Sequence, residues 1–366
     1  MFRDEQDARE QLGSLLSTEQ VEHVVAVLRP IMVLAPLEDE AEPALGATRV
    51  GGMPDLPPDL AWPIRPVSPD VEAIASRGGF NHGDHIRKHL EQAVPYEFFC
   101  QIDLAEAARL GELAADLPSE GRLLFFYDSM TGPWDTSTAI GRVIWDRSPA
   151  ATLRRQPLPE VLVRLGEEWV QETYEAAVKA RSNPSNLFPP AALLDNLDPD
   201  QREALTTAFA NLADLPPPDR EDFTSPYWSP ASARRIERQL SYIDFSAVEH
   251  DHDPALQAAF AVPDIADVLR DISIETYDRT LLLGTPVPVQ DDPRYDAVVV
   301  TQFGRQHLSS DEWQAERKRI FAAAADWRLL LQVLCGNLEG TVYFLIRRDD
   351  LAARDFTRVV AVYQQT

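Results

Sequence analysis

The chain has 366 residues, 45% of them hydrophobic, enough to bury a sizeable core in one large domain or two moderate ones. Its formal net charge of -25 at pH 7 argues against nucleic acid as a partner, because phosphate binding needs clustered Lys and Arg. Two cysteines, Cys100 and Cys335, are too few for a disulfide framework; no apolar run reaches the roughly 18 to 20 residues of a membrane helix, and the opening MFRDEQDARE carries no apolar leader, so a cytoplasmic protein without membrane attachment is expected.

Ser17 and Gln20 have capping-box spacing, and Val21, Val24, Val25 and Leu28 recur at helical spacing until Pro30, which predicts an amphipathic helix in an N-terminal helical arm over 1–30. Ile31 to Ala35 is an apolar run too short for a helix and reads as a buried strand. The stretch GGMPDLPPDLAWP at 51–63 comes next. Gly51 and Gly52 permit positive φ, while Pro54, Pro57 and Pro63 fix φ and remove backbone donors, so the segment is expected to be a stiff extended crossing. Leu56 and Trp62 would pin it over the sheet edge, and Trp62 is also a candidate for docking a ligand or peptide.

His82, His85 and His89 fall at i, i+3, i+7 and would lie along one helix face, the spacing of a metal candidate. No glutamate completes an HExxH pattern and Gly83 weakens a helix start there, so a solvated face is the reading and no metal or cofactor is assigned. FFCQIDL at 98–104 and Arg122 to Asp128 read as strands separated by one or two helical turns, with Val143 to Trp145 as a third strand. From about 150 to 280 the helical patterns Glu167 to Arg181 and Ile265 to Tyr277, broken by Pro189-Pro190 and Pro216 to Pro218, suggest a helical insertion. Within it His250-Asp251-His252-Asp253 is acidic, and its adjacent side chains converge poorly on an ion. Asp291 and Asp292, before Pro293 and Arg294, read as a turn whose carboxylates cap local amides and pair with the arginine, and they are also binding candidates. Ala297 to Gln302 reads as a strand, Asp311 to Ala325 as a helix, and Trp327 to Leu334, Thr341 to Ile346 and Arg358 to Gln364 as closing strands.

The two ends of the chain echo each other. Gly52-Met53-Pro54 is answered by Gly284-Thr285-Pro286; Pro54 precedes Gln101 by 47 residues and Pro286 precedes Gln332 by 46. Glu120-Gly121 and Glu339-Gly340 then each lead into an apolar strand, LLFFY and VYFLI. The expected fold is therefore α+β and mainly antiparallel sheet, in two duplicated halves, with a helical insertion and N-terminal helices. Gln101 and Gln332 would occupy equivalent strands, their buried amides bonded to each other or to backbone.

The ordered blocks GG-x-P-x-LP with Trp62-Pro63, FFCQIDL, EGRLLFFYD, LLGTPVPVQDDPR, DWRLLLQV and EGTVYFLIRRDDLAARDF resemble the YwqG-like family of bacterial domains of unknown function. The resemblance implies one α+β domain over 31–366, built on antiparallel sheet, with the insertion at 150–280 matching least. It implies no established reaction. The occurrence of such domains near toxin and secretion loci implies a protein-binding or immunity role.

Acid is unevenly placed. Residues 1–60 carry 12 Asp or Glu against 4 Lys or Arg and 183–265 carry 14 against 5, whereas 305–366 carry 8 against 9. Asp214, Asp219, Glu221 and Asp222, around Pro216 to Pro218, are the first candidates for steering and binding a basic protein surface, such as that of a basic toxin. A hydrolase or metal-dependent enzyme using the histidines or the Asp291 region, and a small-ligand binding domain, are the alternatives.

Overall fold

The computed structural model describes residues 1–37, 42–135, 137–182, 198–214, 218–242, 254–277, 279–305, 307–335 and 340–365. The apolar runs of the sequence form one ten-stranded sheet in which every pairing is antiparallel, and helices flank it, so the fold is α+β. In chain order its strands are β1 (Arg29–Pro36), β2 (Arg49–Val50), β4 (Glu97–Asp103), β5 (Arg122–Tyr127), β6 (Gly141–Asp146), β8 (Ser232–Ser241), β9 (Leu281–Leu282), β10 (Trp327–Cys335), β11 (Gly340–Arg347) and β12 (Val360–Gln365). A separate ribbon pairs β3 (Asp55–Leu56) with β7 (Arg154–Arg155). Contacts also single out Pro159–Tyr227 as a second compact unit, carrying the helices Glu160–Ser182 and Pro199–Asp214.

The spatial order β12-β11-β10-β9-β1-β8-β2-β4-β5-β6 is a palindrome about the β1–β8 pair. Each half contributes a short strand followed by a three-stranded meander, and the halves exchange their first long strands: β1 lies beside β9, and β8 beside β2. The two edges then curl toward each other. A Cβ built on Gly141 in β6 would stand 2.7 Å from the Cβ of Ala361 in β12, so only glycine admits this approach, and the sheet is a nearly closed barrel.

Hydrogen bonds make the two halves equivalent residue by residue. Gln101 Oε1 accepts from the Asp55 amide at 3.1 Å, and Gln332 Oε1 accepts from the Val287 amide at 2.9 Å. The Gly51 amide donates to Phe99 O, and the Leu283 amide to Leu330 O. Both turns hold two successive residues at positive φ, Gly51-Gly52 at 69° and 73° and Leu283-Gly284 at 57° and 86°. Pro54 and Pro286 follow in matching places. Each meander has a bulge at the same point, between Phe98 and Cys100 and between Leu329 and Leu331. Gly121, at φ 82°, and Gly340 open the second strands. Phe125 and Phe344 follow from them in register and meet inside the barrel, edge to face at 5.1 Å, a geometry worth about 0.5–1.5 kcal/mol beyond the area buried.

Alternation along the strands divides the core. One face, with Cys100, Ile102, Phe125, Leu331, Phe344 and Ile346, fills the barrel. The outer face of the second half, Tyr343, Leu345 and Val360 among others, is covered by the helices Pro293–Phe303 and Ser310–Ala324. In the first half the outer face, with Phe98, Leu124 and Phe126, is covered by the proline-rich crossing through Leu56, Leu60 and Trp62. The N-terminal helices Glu5–Leu12 and Thr18–Val27, the latter opened by the Ser17–Gln20 capping box, pack through Val21 and Val24 on Leu240, Leu256 and Leu269.

Two sequence expectations are corrected. Ala297–Gln302 is not a strand but part of the helix Pro293–Phe303: Asp292 caps it, Pro293 sits in its first turn, and Gly304 ends it at φ 66°. The stretch 150–280 is not wholly helical, since it holds β8, which pairs with β1 along eight residues. The motif His250 to Asp253 lies outside the described residues.

The two glutamines differ in one respect. Gln101 Nε2 donates to Ala47 O at 3.0 Å and to Asp55 Oδ2 at 3.3 Å, whereas Gln332 Nε2 is buried with no partner among the described residues. Replacing Gln101 with leucine strips partners from an amide, a carbonyl and a carboxylate, and is expected to cost about 1–3 kcal/mol; Gln332→Leu also removes an unsatisfied group and should cost clearly less. Urea midpoints of the two variants check this, and equal losses would show that the unpaired Nε2 has no energetic weight.

Candidate functional site

Two buried ionic clusters stand on the first half of the barrel. In the first, Arg49 at the start of β2 and Asp55 in β3 are both 0% exposed, with Nη1 2.9 Å from Oδ2. Arg155 from β7 reaches the other carboxylate oxygen at 3.0 Å, and the Gly46 amide donates to Oδ2 at 2.8 Å. Arg49 also donates to Met53 O and lies over the Phe98 ring. Burial opposes the ionisation of Asp55, but the hydrogen bonds from Arg49 and Arg155 more than reverse this, and its pKa is lowered. The sequence gives a reason for the placement: the double-glycine turn folds Met53 to Asp55 back beside β2. A Cβ on Gly52 would come within 2.6 Å of Ala231 Cβ.

The second cluster lies where β5 ends. Asp128 receives the Thr131 hydroxyl at 2.6 Å and has Arg65 Nε at 3.0 Å and His89 Nε2 at 3.1 Å; Arg65 also binds Asp135, which in turn accepts from the Ser137 amide and hydroxyl. All of Arg65, His89, Asp128 and Asp135 are buried. Burial works against a charge on Asp128, yet His89, Arg65 and Thr131 together hold its carboxyl well below the usual carboxylate range. Glu97, at the start of β4, is its opposite: burial, reinforced by the Asp128 charge and opposed by hydrogen bonds from Ser129, pushes it up to about 8. His89 and Asp128 form the base and orienting acid of a proton-transfer pair in chemistry, but with both side chains 4% exposed they face protein, not solvent.

Arg65 and Asp135 border a cavity of about 460 Å³, lined further by Ser68, Arg77, Ser137 and Thr138. Thr138 also lines a cavity of about 450 Å³ whose walls include Thr301, Trp327, Arg347, Asp350, Arg358 and Val360. Residues of both halves thus meet at one end of the barrel, beside the seam between β6 and β12.

The residues singled out in the sequence are placed as follows. Trp62 donates its indole N–H to Tyr96 O at 2.7 Å and sits edge-on to Phe126, while Pro57 and Pro63 flank the crossing that carries it. On the helix Gly79–Leu90, His89 turns inward to Asp128, His82 stacks on Trp134 and His85 is half-buried. Among the described residues no three His, Cys, Asp or Glu side chains are grouped to hold a metal ion. Asp292 caps its helix through the Arg294 amide and pairs with the Arg294 guanidinium at 2.6 Å, all buried, and Asp291 is exposed. Nearby Asp296, hydrogen-bonded to Gln364, is pushed up to about 7 by burial and by Asp291 and Asp292. Asp219 caps a short 3₁₀ turn through the Glu221 amide in a reciprocal box with Asp222, and all three are exposed. Asp214 ends the helix Pro199–Asp214, and its side chain lies outside the described residues.

The buried clusters escaped sequence reasoning because each joins distant segments. Their one sequence signal is a charged residue within or closing an otherwise apolar block, as Glu97 opens FFCQI and Asp128 closes LLFFY. Among the described residues no helix is long and apolar enough to cross a membrane. A family model described as a domain of unknown function (DUF1963) matches residues 48–364, which takes in the whole barrel except β1 and the last residue of β12. No curated protein matches the chain.

Proposed function

The chain belongs to the DUF1963 family of domains of unknown function, and from that premise we propose that it is a binding module that masks a basic protein surface, in the manner of an immunity protein, and is YwqG-like in kind. The observation that carries the reading is the helical unit Pro159–Tyr227, a compact body of its own with 13 acidic residues against 5 basic ones. Its acids face outward: Glu167, Glu172, Glu175, Asp200, Glu203, Glu221 and Asp222 are exposed. Val163 and Val178 are exposed between them on the helix Glu160–Ser182, so apolar area is available once charge has steered a partner in. Such a field raises association rates and is screened over roughly 8 Å at physiological ionic strength.

With a basic partner isolated from the native host, association followed by stopped flow should slow steadily as salt rises. Reversing Asp219, Glu221 and Asp222 to lysine should slow it about tenfold further at low salt and little at high salt. A partner whose association rate ignores both changes sinks the reading.

A further inference from the structure

We propose that the cavity between the ends of β10, β11 and β12 is a binding site for a small oxyanion, a phosphate or carboxylate group, held by Arg347 and Arg358. Leu345 pairs with Val360 at the end of the antiparallel β11–β12 ladder; two residues further out on each side, Arg347 closes β11 and Arg358 closes the 3₁₀ turn Phe356–Arg358 that leads into β12. Both line the cavity. Two like charges lining one cavity repel each other, and a bound anion turns that cost into affinity.

The two guanidinium groups are not consumed by neighbouring acids. Among the described residues no carboxylate lies within ion-pair distance of Arg347, which is placed instead over the face of its cross-strand neighbour Trp327, 5.5 Å from the ring centre. That contact leaves the guanidinium N–H groups to donate, as two-point recognition of an oxyanion requires. Among the described residues the one carboxylate within ion-pair distance of Arg358 is Asp355, at 3.8 Å, and that carboxylate also accepts from Thr357 and feels the charge of Arg142. In a chain with 59 acids against 34 Lys and Arg, two arginines facing one cavity carboxylate, Asp350, reverse the prevailing balance. The volume of about 450 Å³ fits a small metabolite rather than a bare ion, and Trp327 and Val360 supply apolar wall for its body.

Isothermal titration of the full chain with inorganic phosphate and, separately, with citrate tests this, chloride keeping the ionic strength constant. Saturable binding of either anion at one site per chain is expected. Phosphate alone would mark a phosphoryl ligand and citrate alone a carboxylate one. Arg347→Gln combined with Arg358→Gln should weaken that binding at least about tenfold, the loss of one charge-assisted hydrogen bond or more. Asp350→Asn, which removes the facing negative charge, should tighten it severalfold, while Arg348→Gln, one residue outside the cavity lining, should leave it unchanged. A purely structural pair of arginines predicts no tightening. Absence of saturable binding by both anions, or equal affinity in wild type, the double variant and Asp350→Asn, overturns the proposal. Should the double variant fail to fold, the Asp350→Asn titration decides alone.

Discussion

Replacing Asp55 with alanine is expected to lower the unfolding free energy by about 3–5 kcal/mol, because it leaves the wholly buried Arg49 guanidinium without its carboxylate. The loss should exceed that of Gln101→Leu, since a charge and not merely an amide is orphaned. The internal duplication supplies the second half of the experiment. Arg49 pairs with Gln101 across β2–β4 as Leu281 pairs with Gln332 across β9–β10, and the amide bonded by Gln101 belongs to Asp55 as the one bonded by Gln332 belongs to Val287. The molecule therefore already holds an apolar solution at the place where its first half has an ion pair. Arg49→Leu combined with Asp55→Val copies it and should recover most of the stability lost in Asp55→Ala, leaving the more exposed Arg155 to Glu42, 2.5 Å away. A double-mutant cycle read by urea denaturation would give a coupling of several kcal/mol between Arg49 and Asp55. If instead the two single losses simply add, the pair is not an energetic unit and the two halves are equivalent in geometry alone.

That equivalence was the most legible feature of the sequence. The Gly-Pro turns and the near-equal spacing to Gln101 and Gln332 announced it, because a turn with two successive positive φ values and a strand glutamine bonded back to it make rigid demands on residue type. The strands of the two meanders were legible for a plainer reason, being short apolar runs bounded by turns. Two elements misled. Ala297 to Val300 is β-branched enough to look like a strand, and Asp292, the cap that makes it a helix, carries the signature of a turn residue as well. In β8 the buried positions Ala233, Ile236 and Leu240 fall at helical spacing, and the arginines between them hide a strand that lies at the centre of the sheet. Its placement depends on β1, some 200 residues earlier, and nothing local encodes that. The candidate site suffers most from this distance. Asp55 meets Arg155, and Arg65 meets Asp128 and Asp135, only once distant segments fold together, so their chemistry belongs to the fold and not to any motif.

Stability should fall as pH rises through neutrality, and Glu97 is the group to blame. Its folded pKa of about 8 stands above the ordinary value of 4.5, so between these limits the native state keeps a proton that the unfolded chain has released. Below pH 4.5 the contribution is fully present; as pH climbs toward 8 it is lost, at up to about 1.4 kcal/mol per pH unit, and above 8 the loss is complete. Asp296, raised to about 7, adds a loss of the same sign that begins at lower pH, from its ordinary 3.8. Asp128 and Asp55, both depressed, act oppositely: they stabilise above the ordinary carboxylate range and fail only in acid, so they do not cancel the effect at neutrality. The two neighbours Glu97 and Asp128 thus divide the roles of neutral acid and fixed anion within one buried cluster, since Arg65 and His89 face Asp128 whereas Glu97 has Ser129. Glu97→Gln keeps the shape and a hydrogen-bond donor while removing the titration. The variant should match the wild type near pH 5 and exceed it increasingly up to about pH 8, by several kcal/mol there and above. Urea denaturation at one-unit steps from pH 5 to 9 reads this difference directly. Parallel profiles for the two proteins would mean that Glu97 is ionised in the folded barrel, and that the charge beside Asp128 is met by a neighbour rather than avoided by protonation.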